Sequence, residues 1–327
     1  MKRNQHAGAV RTAGVGLRMF TDDDLEAIHL ATLEVLSGTG VFVEDEAALD
    51  VLRDGGCVVD RDSRIVRIPA WVVEDAIRSA PSTITLCGRE PACDITLQGG
   101  RVGFTNFGEA IQVVDAYTGE LREPTKKDVG DIARVIDALS EIDVCERPAG
   151  AHEVAQELAP LYNIDAMLNN TSKHLFIGPI SGYLARQIAR MGAAVTGGED
   201  QFRQRPLISL LTCPVSPLKL VRDTCEIIME GARQGMCVGV LSMAMAGGSS
   251  PVTLAGTLVT HNAEVLAGLT LSQRTERGAA VIYASSSTAM DLRLASASVG
   301  SPECSLISSG IAQMARRYML PSWVAGL

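Results

Sequence analysis

Residues 207–241, LISLLTCPVSPLKLVRDTCEIIMEGARQGMCVGVL, decide the fold of this chain because they contain one strand–helix–strand unit. The apolar runs at 207–211 and 237–241 are short and show no polar alternation, which is typical of strands buried on both faces of a parallel sheet. The segment between them, 220–233, has the mixed charged and apolar pattern of a crossover helix. This stretch therefore predicts a βαβ unit.

The same alternation repeats on both sides of this unit. Six helices are each followed by a short apolar strand, and the pairs are 128–139 with 144–146, 154–168 with 174–177, 185–195 with 207–211, 220–233 with 237–241, 254–274 with 280–283, and 304–318 with 321–325. The pattern predicts an all-parallel sheet, in either a (β/α)8 barrel or a doubly wound fold. No G-x-G-x-x-G follows a strand and no G-x-x-x-x-G-K-[ST] occurs, so the sequence favours the barrel.

The residues before these repeats are organised differently. Residues 1–18 are polar and basic and predict a loose arm, whereas 19–121 predict an N-terminal α+β extension. Its elements are a helix capped by Thr21, a helix over 45–53, a hairpin within 57–68, a helix from Pro69, and strands at 83–86, 94–97, 102–105 and 112–115. The predicted class is thus α/β, with a TIM-type (β/α)8 barrel over 122–327. This barrel is incomplete at the C-terminus, because a closed barrel needs eight strands and the pattern gives six, or seven with 102–105.

Composition excludes several kinds of protein. The chain has 327 residues, with 29 Lys and Arg against 38 Asp and Glu, so its charge disfavours nucleic acid as a partner. Eight cysteines without a C-x-x-C pair indicate a reducing compartment and neither a disulfide framework nor a zinc site. No apolar run approaches the roughly 18 residues of a membrane span, and no signal sequence begins the chain. We therefore expect a cytoplasmic protein that binds no membrane and no metal.

Chemistry on a (β/α)8 barrel lies in the loops that follow the strands. In this chain those loops are small and almost uncharged, and the residues that characterise them are Gly178, Ser216, Gly247, Gly248 and Ser286. Such loops leave room for a large flat ligand to approach the backbone, and they lack the carboxylate cluster of a metal site or a glycosidase. The alternative interpretation is that they are ordinary short turns.

Charged residues are few near these loops. Glu303 opens a helix after Ser301-Pro302, where its carboxylate either acts chemically or only stabilises the helix dipole. Glu146 and Arg147 follow a strand and can simply form an ion pair. Glu109 follows an apolar segment of the extension and is a weaker candidate.

Two other polar groups favour no catalytic assignment. His261, which lies near Glu264 on a long apolar helix, is predicted to be a packing residue. Ser285 to Ser287 lack the G-x-S-x-G turn of a hydrolase nucleophile, so a serine hydrolase is a poor interpretation.

Two parts of the chain resemble a known family. The passages 300–303 with 314–327, GSPE with MARRYMLPSWVAGL, and 20–22 with 33–41, FTD with LEVLSGTGV, are similar to the trimethylamine:corrinoid methyltransferase family (MttB). The likeness extends over nearly the whole chain. It implies a (β/α)8 barrel and an enzyme that transfers a methyl group from trimethylamine to the Co(I) of a corrinoid (cobalamin), releasing dimethylamine in methylamine catabolism and methanogenesis. The corrinoid would be carried by a separate cognate protein, with no cofactor bound directly to this chain, and we expect the full-length protein to be a homo-oligomer.

The resemblance also accounts for the unfinished barrel. In the trimethylamine members of the family, pyrrolysine, encoded by an in-frame amber codon, follows the segment that Pro321–Leu327 resembles. We therefore expect this chain to be the N-terminal part of such an enzyme, with pyrrolysine beyond Leu327. A barrel that stops there would expose an apolar strand edge, and we expect the 327-residue product to be poorly soluble.

The resemblance gives the candidate residues roles. The imine of pyrrolysine would form an adduct with the amine, and Glu303 would be the catalytic acid that helps to activate it. Tyr283 and Trp323 would offer π-faces to a methylated ammonium, with Glu109 as a further substrate-binding residue, although the two aromatic residues can equally be core residues. The small loops at 178, 216, 247, 248 and 286 would face the corrinoid. Two alternatives stay open, which are a methyltransferase without pyrrolysine for a quaternary amine such as glycine betaine, and an inactive truncated protein.

Overall fold

The computed structural model of the protein describes residues 18–325. Its first elements are α1 Asp22–Glu34, β1 Val41–Val43, α2 Glu46–Asp54, β2 Val58–Asp60, β3 Ile65–Arg67 and α3 Ala70–Ser79. The predicted start of the first helix is confirmed, because Asp24 N donates to the Thr21 hydroxyl while the Asp24 carboxylate accepts from Thr21 N. The predicted hairpin is confirmed as well, because β2 and β3 pair antiparallel.

The remaining elements continue the alternation of strand and helix. The middle of the chain forms β4 Thr83–Leu86, β5 Ile95–Gln98, β6 Val113–Val114, β7 Leu121–Arg122, α4 Lys126–Ala138, β8 Val144–Glu146, α5 Ala159–Leu168, β9 His174–Ile177, α6 Gly182–Thr196, α7 Glu199–Gln204 and β10 Ile208–Thr212. The last part forms β11 Lys219–Leu220, α8 Arg222–Gln234, β12 Val238–Ser242, β13 Met245–Ala246, α9 Leu254–Thr275, β14 Val281–Ser285, β15 Thr288–Asp291, β16 Ser296–Ala297, α10 Pro302–Arg317 and β17 Ser322–Val324. The six predicted helix–strand pairs are therefore all present.

The described residues divide into two compact units, and each unit is discontinuous in sequence. The first unit comprises 84–211 and 234–237, and the second comprises 18–83, 212–233 and 238–325. The sequence predicted two domains, 19–121 and 122–327, each formed by one continuous segment, and this division stays a prediction. Apart from Arg18, the predicted arm at residues 1–18 lies outside the described residues.

Parallel strands form the centre of the first unit, where β8 pairs with β9 and β9 pairs with β10. All four residues of β9 are buried, as expected for a strand that is covered on both faces. Lys173, just before β9, is also buried, and its Nζ donates to the carbonyl oxygens of Ile136 and Leu139 at 2.5 and 2.6 Å. The ammonium group therefore caps the C-terminal end of α4, where helix carbonyls lack partners within the helix.

The prediction of a regular strand at 102–105 is wrong. An isolated parallel bridge joins Thr105 to Val144 in β8, and the ladder does not continue as a strand. Instead the Asn106 side chain takes the place of the next strand residue. Its Oδ1 accepts from Glu146 N at 2.9 Å, and its Nδ2 donates to Glu146 O at 2.9 Å. The segment thus runs beside β8, held by a bridge and a side-chain amide.

The second unit contains another parallel group, β12, β14 and β17, in which Val240 pairs with Tyr283 and Ala284 with Trp323. The long helix α9 packs against β12 and β14 on one side and against α1, α3 and α10 on the others, so most of its residues are buried. A separate sheet in the order β11, β1, β3, β2 completes this unit.

The differences from the predicted elements are local. Helix α5 begins at Ala159 instead of 154, with Pro160 in its first turn, where a residue without a backbone N–H is tolerated. The short elements α7, β11, β13, β15 and β16 were not predicted. Segments of two to six residues carry too little periodicity to be distinguished from turns.

Gly268 lies on α9 where this helix crosses β12. A Cβ atom at this position would meet Val240 Cγ1 at 2.7 Å and Cγ2 at 3.1 Å. Because a packed core has little space to absorb such an overlap, we expect Gly268→Ala to lower the free energy of unfolding by about 1–3 kcal/mol in urea denaturation. Gly38→Ala is the control, because a Cβ there meets nothing within 4 Å. Equal losses in the two variants would contradict the prediction.

Candidate functional site

A charged cluster lies at the carboxyl end of β8 in the first unit. Arg147 pairs through its Nη2 with the Glu109 carboxylate, and the side chains of the two residues are 17% and 36% exposed. The buried Nε of Arg147 has no hydrogen-bond partner among the described residues. Glu146, the last residue of β8, is half-buried beside this pair. The predicted pairing of Arg147 with Glu146 is therefore replaced by a pairing with Glu109, 38 residues earlier.

Burial governs the protonation of this cluster. It raises the pKa of Glu146 to about 7, and the neighbouring Arg147 guanidinium opposes the shift. Burial also lowers the pKa of Arg147, against the stabilising charge of Glu109. Glu146 can therefore take up or release a proton near neutral pH, which is a property of groups that handle protons in active sites.

Gly108 brings the backbone close to this cluster. A Cβ at Gly108 would lie 2.7 Å from the Arg147 carbonyl oxygen and 3.0 Å from Glu146 Cγ. Two residues further along, Ala110 donates its N–H to Pro148 O at 3.0 Å. A residue without a side chain is thus required for the segment that carries Glu109 to reach Arg147.

A buried carboxylate organises the loops of the second unit. Glu264 on α9 is 1% exposed and accepts from Ser216 Oγ at 2.8 Å, from Leu218 N at 3.0 Å and from Ser242 Oγ at 2.6 Å. Burial raises the pKa of Glu264, and the three hydrogen bonds oppose that shift. Ser242 O in turn accepts from Ser286 N at 3.0 Å. Two of the predicted loop residues, Ser216 and Ser286, therefore belong to one hydrogen-bonded group.

The three predicted glycines have different surroundings. A Cβ at Gly178 would have Leu211 O as its nearest neighbour at 3.4 Å, and one at Gly247 would have Val252 Cγ2 at 3.7 Å, so both positions are open. A Cβ at Gly248, in contrast, would overlap the sulfur of Met290. At Gly248 the small residue serves the packing of the chain itself.

The structure corrects the expected role of Tyr283. Its side chain is fully buried, and its hydroxyl donates to Asn262 Oδ1 at 2.8 Å and lies 3.3 Å from His261 Nδ1. The ring also contacts that of Tyr318 in a tilted arrangement, with centroids 6.1 Å apart. Tyr283 therefore faces the helices and offers no accessible π-face to a substrate. His261 is a packing residue as predicted, since it is fully buried and its Nε2 lies 3.2 Å from Ala284 O.

The other two candidates lie near the end of the described chain. Trp323, half-buried in β17, pairs in register with Ala284. Glu303 is exposed in the first turn of α10, which Ser301 caps by accepting from Cys304 N. This position suits stabilisation of the helix dipole. Its predicted catalytic role rests on the resemblance alone.

Sequence reasoning missed Glu264, Asn106 and Gly108 as organising residues. The signal for Glu264 was present, because an acidic residue in the middle of an apolar helix needs buried partners. No such signal marks Asn106 or Gly108, whose partners lie about 40 residues later. Among residues 18–325, no group of three or more His, Cys, Asp and Glu side chains is placed to hold a metal ion. No helix in that range is long and apolar enough to cross a membrane.

Comparison with known proteins identifies the family. A family model described as trimethylamine methyltransferase matches residues 2–327. The chain is 50% identical, over 98% of its length, to the trimethylamine methyltransferase MttB of Desulfitobacterium hafniense DCB-2, and 42% identical, over 99%, to that of Methanosarcina thermophila. It spans 64% and 68% of these two relatives. It is also 32% identical over 94% of its length to the glycine betaine methyltransferase of D. hafniense Y51.

A solved structure confirms the kind of fold. The monomethylamine methyltransferase MtmB of Methanosarcina barkeri matches 94% of this chain and 68% of its own, with a TM-score of 0.51 and 16% identity. This likeness shows a shared α/β fold and nothing about substrate. The match of the family model to residues 2–327, with 42–50% identity to two of its members, shows that this chain belongs to the trimethylamine methyltransferase family.

Proposed function

We propose that the protein transfers a methyl group from trimethylamine to the Co(I) of a corrinoid on a cognate partner protein and releases dimethylamine. The observation that carries this proposal is the 50% identity to a trimethylamine methyltransferase, against 32% to a glycine betaine methyltransferase. A quaternary-amine activity is therefore the second candidate. An inactive fragment remains the interpretation to be tested against both.

The described residues support two tasks in this reaction. Glu109 places a carboxylate at the carboxyl end of β8, where it favours the binding of a methylated ammonium. The departing amine needs a proton, and Glu146, with a pKa of about 7, is suited to supply one. In the second unit, the half-buried Trp323 is a separate candidate for binding an ammonium through its π-face. Glu303 keeps its proposed role as an acid that activates the electrophile.

The loops also fit a corrinoid that is brought by a partner. Corrinoid Co(I) supplies a strong nucleophile for the methyl carbon. In the second unit, the open position at Gly247 leaves the backbone accessible to a large flat ring, and Ser216 and Ser286 are small. In the first unit, Gly178 is a similarly open position. Gly248 does not contribute to this fit, because Met290 occupies the space that a side chain there would take.

Incubation with trimethylamine and the Co(I) corrinoid protein tests the proposal. We expect dimethylamine to appear in step with methyl–Co(III) absorbance, measured with the product that is read through beyond Leu327 and with the 327-residue product side by side. Release of dimethylglycine from glycine betaine, without activity on trimethylamine, would favour the second candidate. No methyl transfer from either substrate by either product would favour the inactive fragment.

We further propose that pyrrolysine follows Leu327 and is the electrophile that receives the amine. This proposal is supported by the resemblance of Pro321–Leu327 to the segment before pyrrolysine and by the greater length of the relatives. The coding DNA is expected to carry TAG after the Leu327 codon, with an open frame beyond it. TAA or TGA at that position would contradict the prediction.

A cytoplasmic location and a homo-oligomeric full-length protein complete the proposal. All eight cysteines are free thiols, which suits a reducing compartment. Light scattering on the full-length protein measures its mass directly, and a monomer at micromolar concentration would refute the oligomer.

A further inference from the structure

One buried side chain of the second unit connects three of the loops that follow strands. Glu264 joins the loop after β10, through Ser216 and Leu218, to the end of β12, through Ser242. The carbonyl oxygen of Ser242 then accepts from Ser286 N at 3.0 Å and from Ser287 Oγ at 3.3 Å, both in the loop after β14. The Glu264 carboxylate thus bonds directly to the loop after β10 and to the end of β12, and it connects through Ser242 to the loop after β14.

The loop after β10 has a conformation that needs such support. Leu218 has φ of +60°, in the left-handed region that side chains other than glycine rarely adopt. Its N–H donates to Glu264 Oε1, and its carbonyl accepts from Phe42 N at 2.9 Å. An unfavourable backbone conformation persists where surrounding contacts determine it fully, and such positions cluster at functional sites.

The bonding pattern explains why the residue is an acid. Three donors converge on two oxygens, and a carboxylate is the side chain that can accept from all of them. A buried carboxylate is costly, and an apolar residue at this position of α9 would be tolerated if only packing mattered. The side chain is therefore suited to hold the loops and contributes little as a core residue.

We propose that Glu264 is a positioning residue, which fixes the loops after β10, β12 and β14 in the arrangement against which the corrinoid-carrying partner docks. The identity of that partner rests on the proposed function. Glu264 itself is buried and touches neither substrate nor corrinoid. Its effect is therefore expected on docking of the partner and much less on the chemical step.

Three variants of the full-length protein test this role. Glu264→Ala removes all three hydrogen bonds, and Glu264→Gln keeps an acceptor for Leu218 N and an amide that can bond the two serine hydroxyls. Val265→Ala is the matched control, because Val265 is equally buried on α9 and none of the three loops bonds to it through its side chain. Hydrogen exchange of the amides in 213–218, 242–248 and 285–287 measures how firmly the loops are held. Methyl transfer to the corrinoid protein gives KM and kcat.

We expect Glu264→Ala to raise exchange in these loops at least tenfold and to raise KM for the corrinoid protein at least tenfold, with kcat within about threefold of wild type. In Glu264→Gln, loop exchange and KM should both return most of the way to wild type. Val265→Ala should change neither loop exchange nor KM, even if its Tm falls as far as that of Glu264→Ala. The inference would be overturned if the loop amides exchanged equally fast in Glu264→Ala and Val265→Ala. It would also be overturned if only Glu264→Ala exchanged faster but its KM for the corrinoid protein did not change. If the wild-type protein transfers no methyl group, the proposed function fails, and the exchange experiment still decides whether Glu264 holds the loops.

Discussion

Glu146→Gln is expected to make the protein more stable than wild type above pH 7, by about 3–4 kcal/mol, while changing its stability little at pH 4. Burial raises the pKa of Glu146 from 4.5 to about 7, so the folded state holds its proton over a range in which the unfolded state has already released it. Stability therefore falls as pH rises through this window, by about 1.4 kcal/mol for each unit that separates the two pKa values. Glutamine cannot ionise and escapes this loss.

Urea denaturation of both proteins between pH 4 and pH 8 measures the effect as a difference curve. The difference cancels the contributions of other buried groups, such as His174 and His261, whose pKa values are lowered to about 4 and about 3 by burial. Glu303→Gln is the control, because it makes the same chemical change at an exposed carboxyl. A flat curve for Glu146→Gln would show that this carboxyl is not held in a protonated state.

Activity measurements on Glu146→Gln and Glu303→Gln test the proposed roles of these two carboxyl groups in methyl transfer. If Glu146 exchanges a proton with the amine, kcat/KM for trimethylamine should fall about 100-fold in Glu146→Gln, and the pH dependence near 7 should disappear. Glu303→Gln should also lower kcat/KM if Glu303 activates the electrophile as proposed, and it should stay within about threefold of wild type if that carboxylate only stabilises the N-terminal turn of α10. The reverse result would assign the acid role to Glu303, as the family resemblance suggests.

The order of elements could be predicted because each strand is a short apolar run and each helix is long enough to show its period. The strand at 102–105 was predicted wrongly because an apolar run says nothing about how long its ladder continues. In the structure the Asn106 side chain takes over from the ladder after Thr105. Short elements in the loops, such as β13, were not predicted because they contain too few residues to show a periodic pattern.

The candidate site was harder to predict than the fold, for reasons that particular residues make plain. Glu109 and Arg147 pair across 38 residues, and nothing in either local sequence indicates the other as partner. Tyr283 is the middle residue of β14, and a strand that is buried on both faces shows no alternation to indicate which way a side chain points. The burial of a whole strand thus predicts the sheet well and conceals the orientation of the residues on it.

Asn262→Ala is expected to lower the free energy of unfolding by about 3 kcal/mol, because it opens the polar network that Tyr283 joins. Asn262 Nδ2 donates to Thr32 Oγ1 at 2.9 Å and to Tyr318 Oη at 2.8 Å, and its Oδ1 accepts from Tyr283 Oη at 2.8 Å. All four residues are buried, so water cannot replace the lost bonds without entering the core. Truncation therefore leaves polar groups short of partners beside a new cavity.

A double-mutant cycle with Tyr283→Phe isolates the bond between Asn262 and the phenol. Each single loss includes the cost of leaving the other group without its partner, whereas the double variant removes both groups and loses the bond once. We expect the double variant to lose about 1 kcal/mol less than the sum of the single losses in urea denaturation. Strict additivity would show that the two side chains are not coupled.

Tyr283→Phe alone should leave KM for trimethylamine within about twofold of wild type, because the phenol faces helices α9 and α10 and not a ligand. A large rise in KM would restore Tyr283 as a substrate-binding residue.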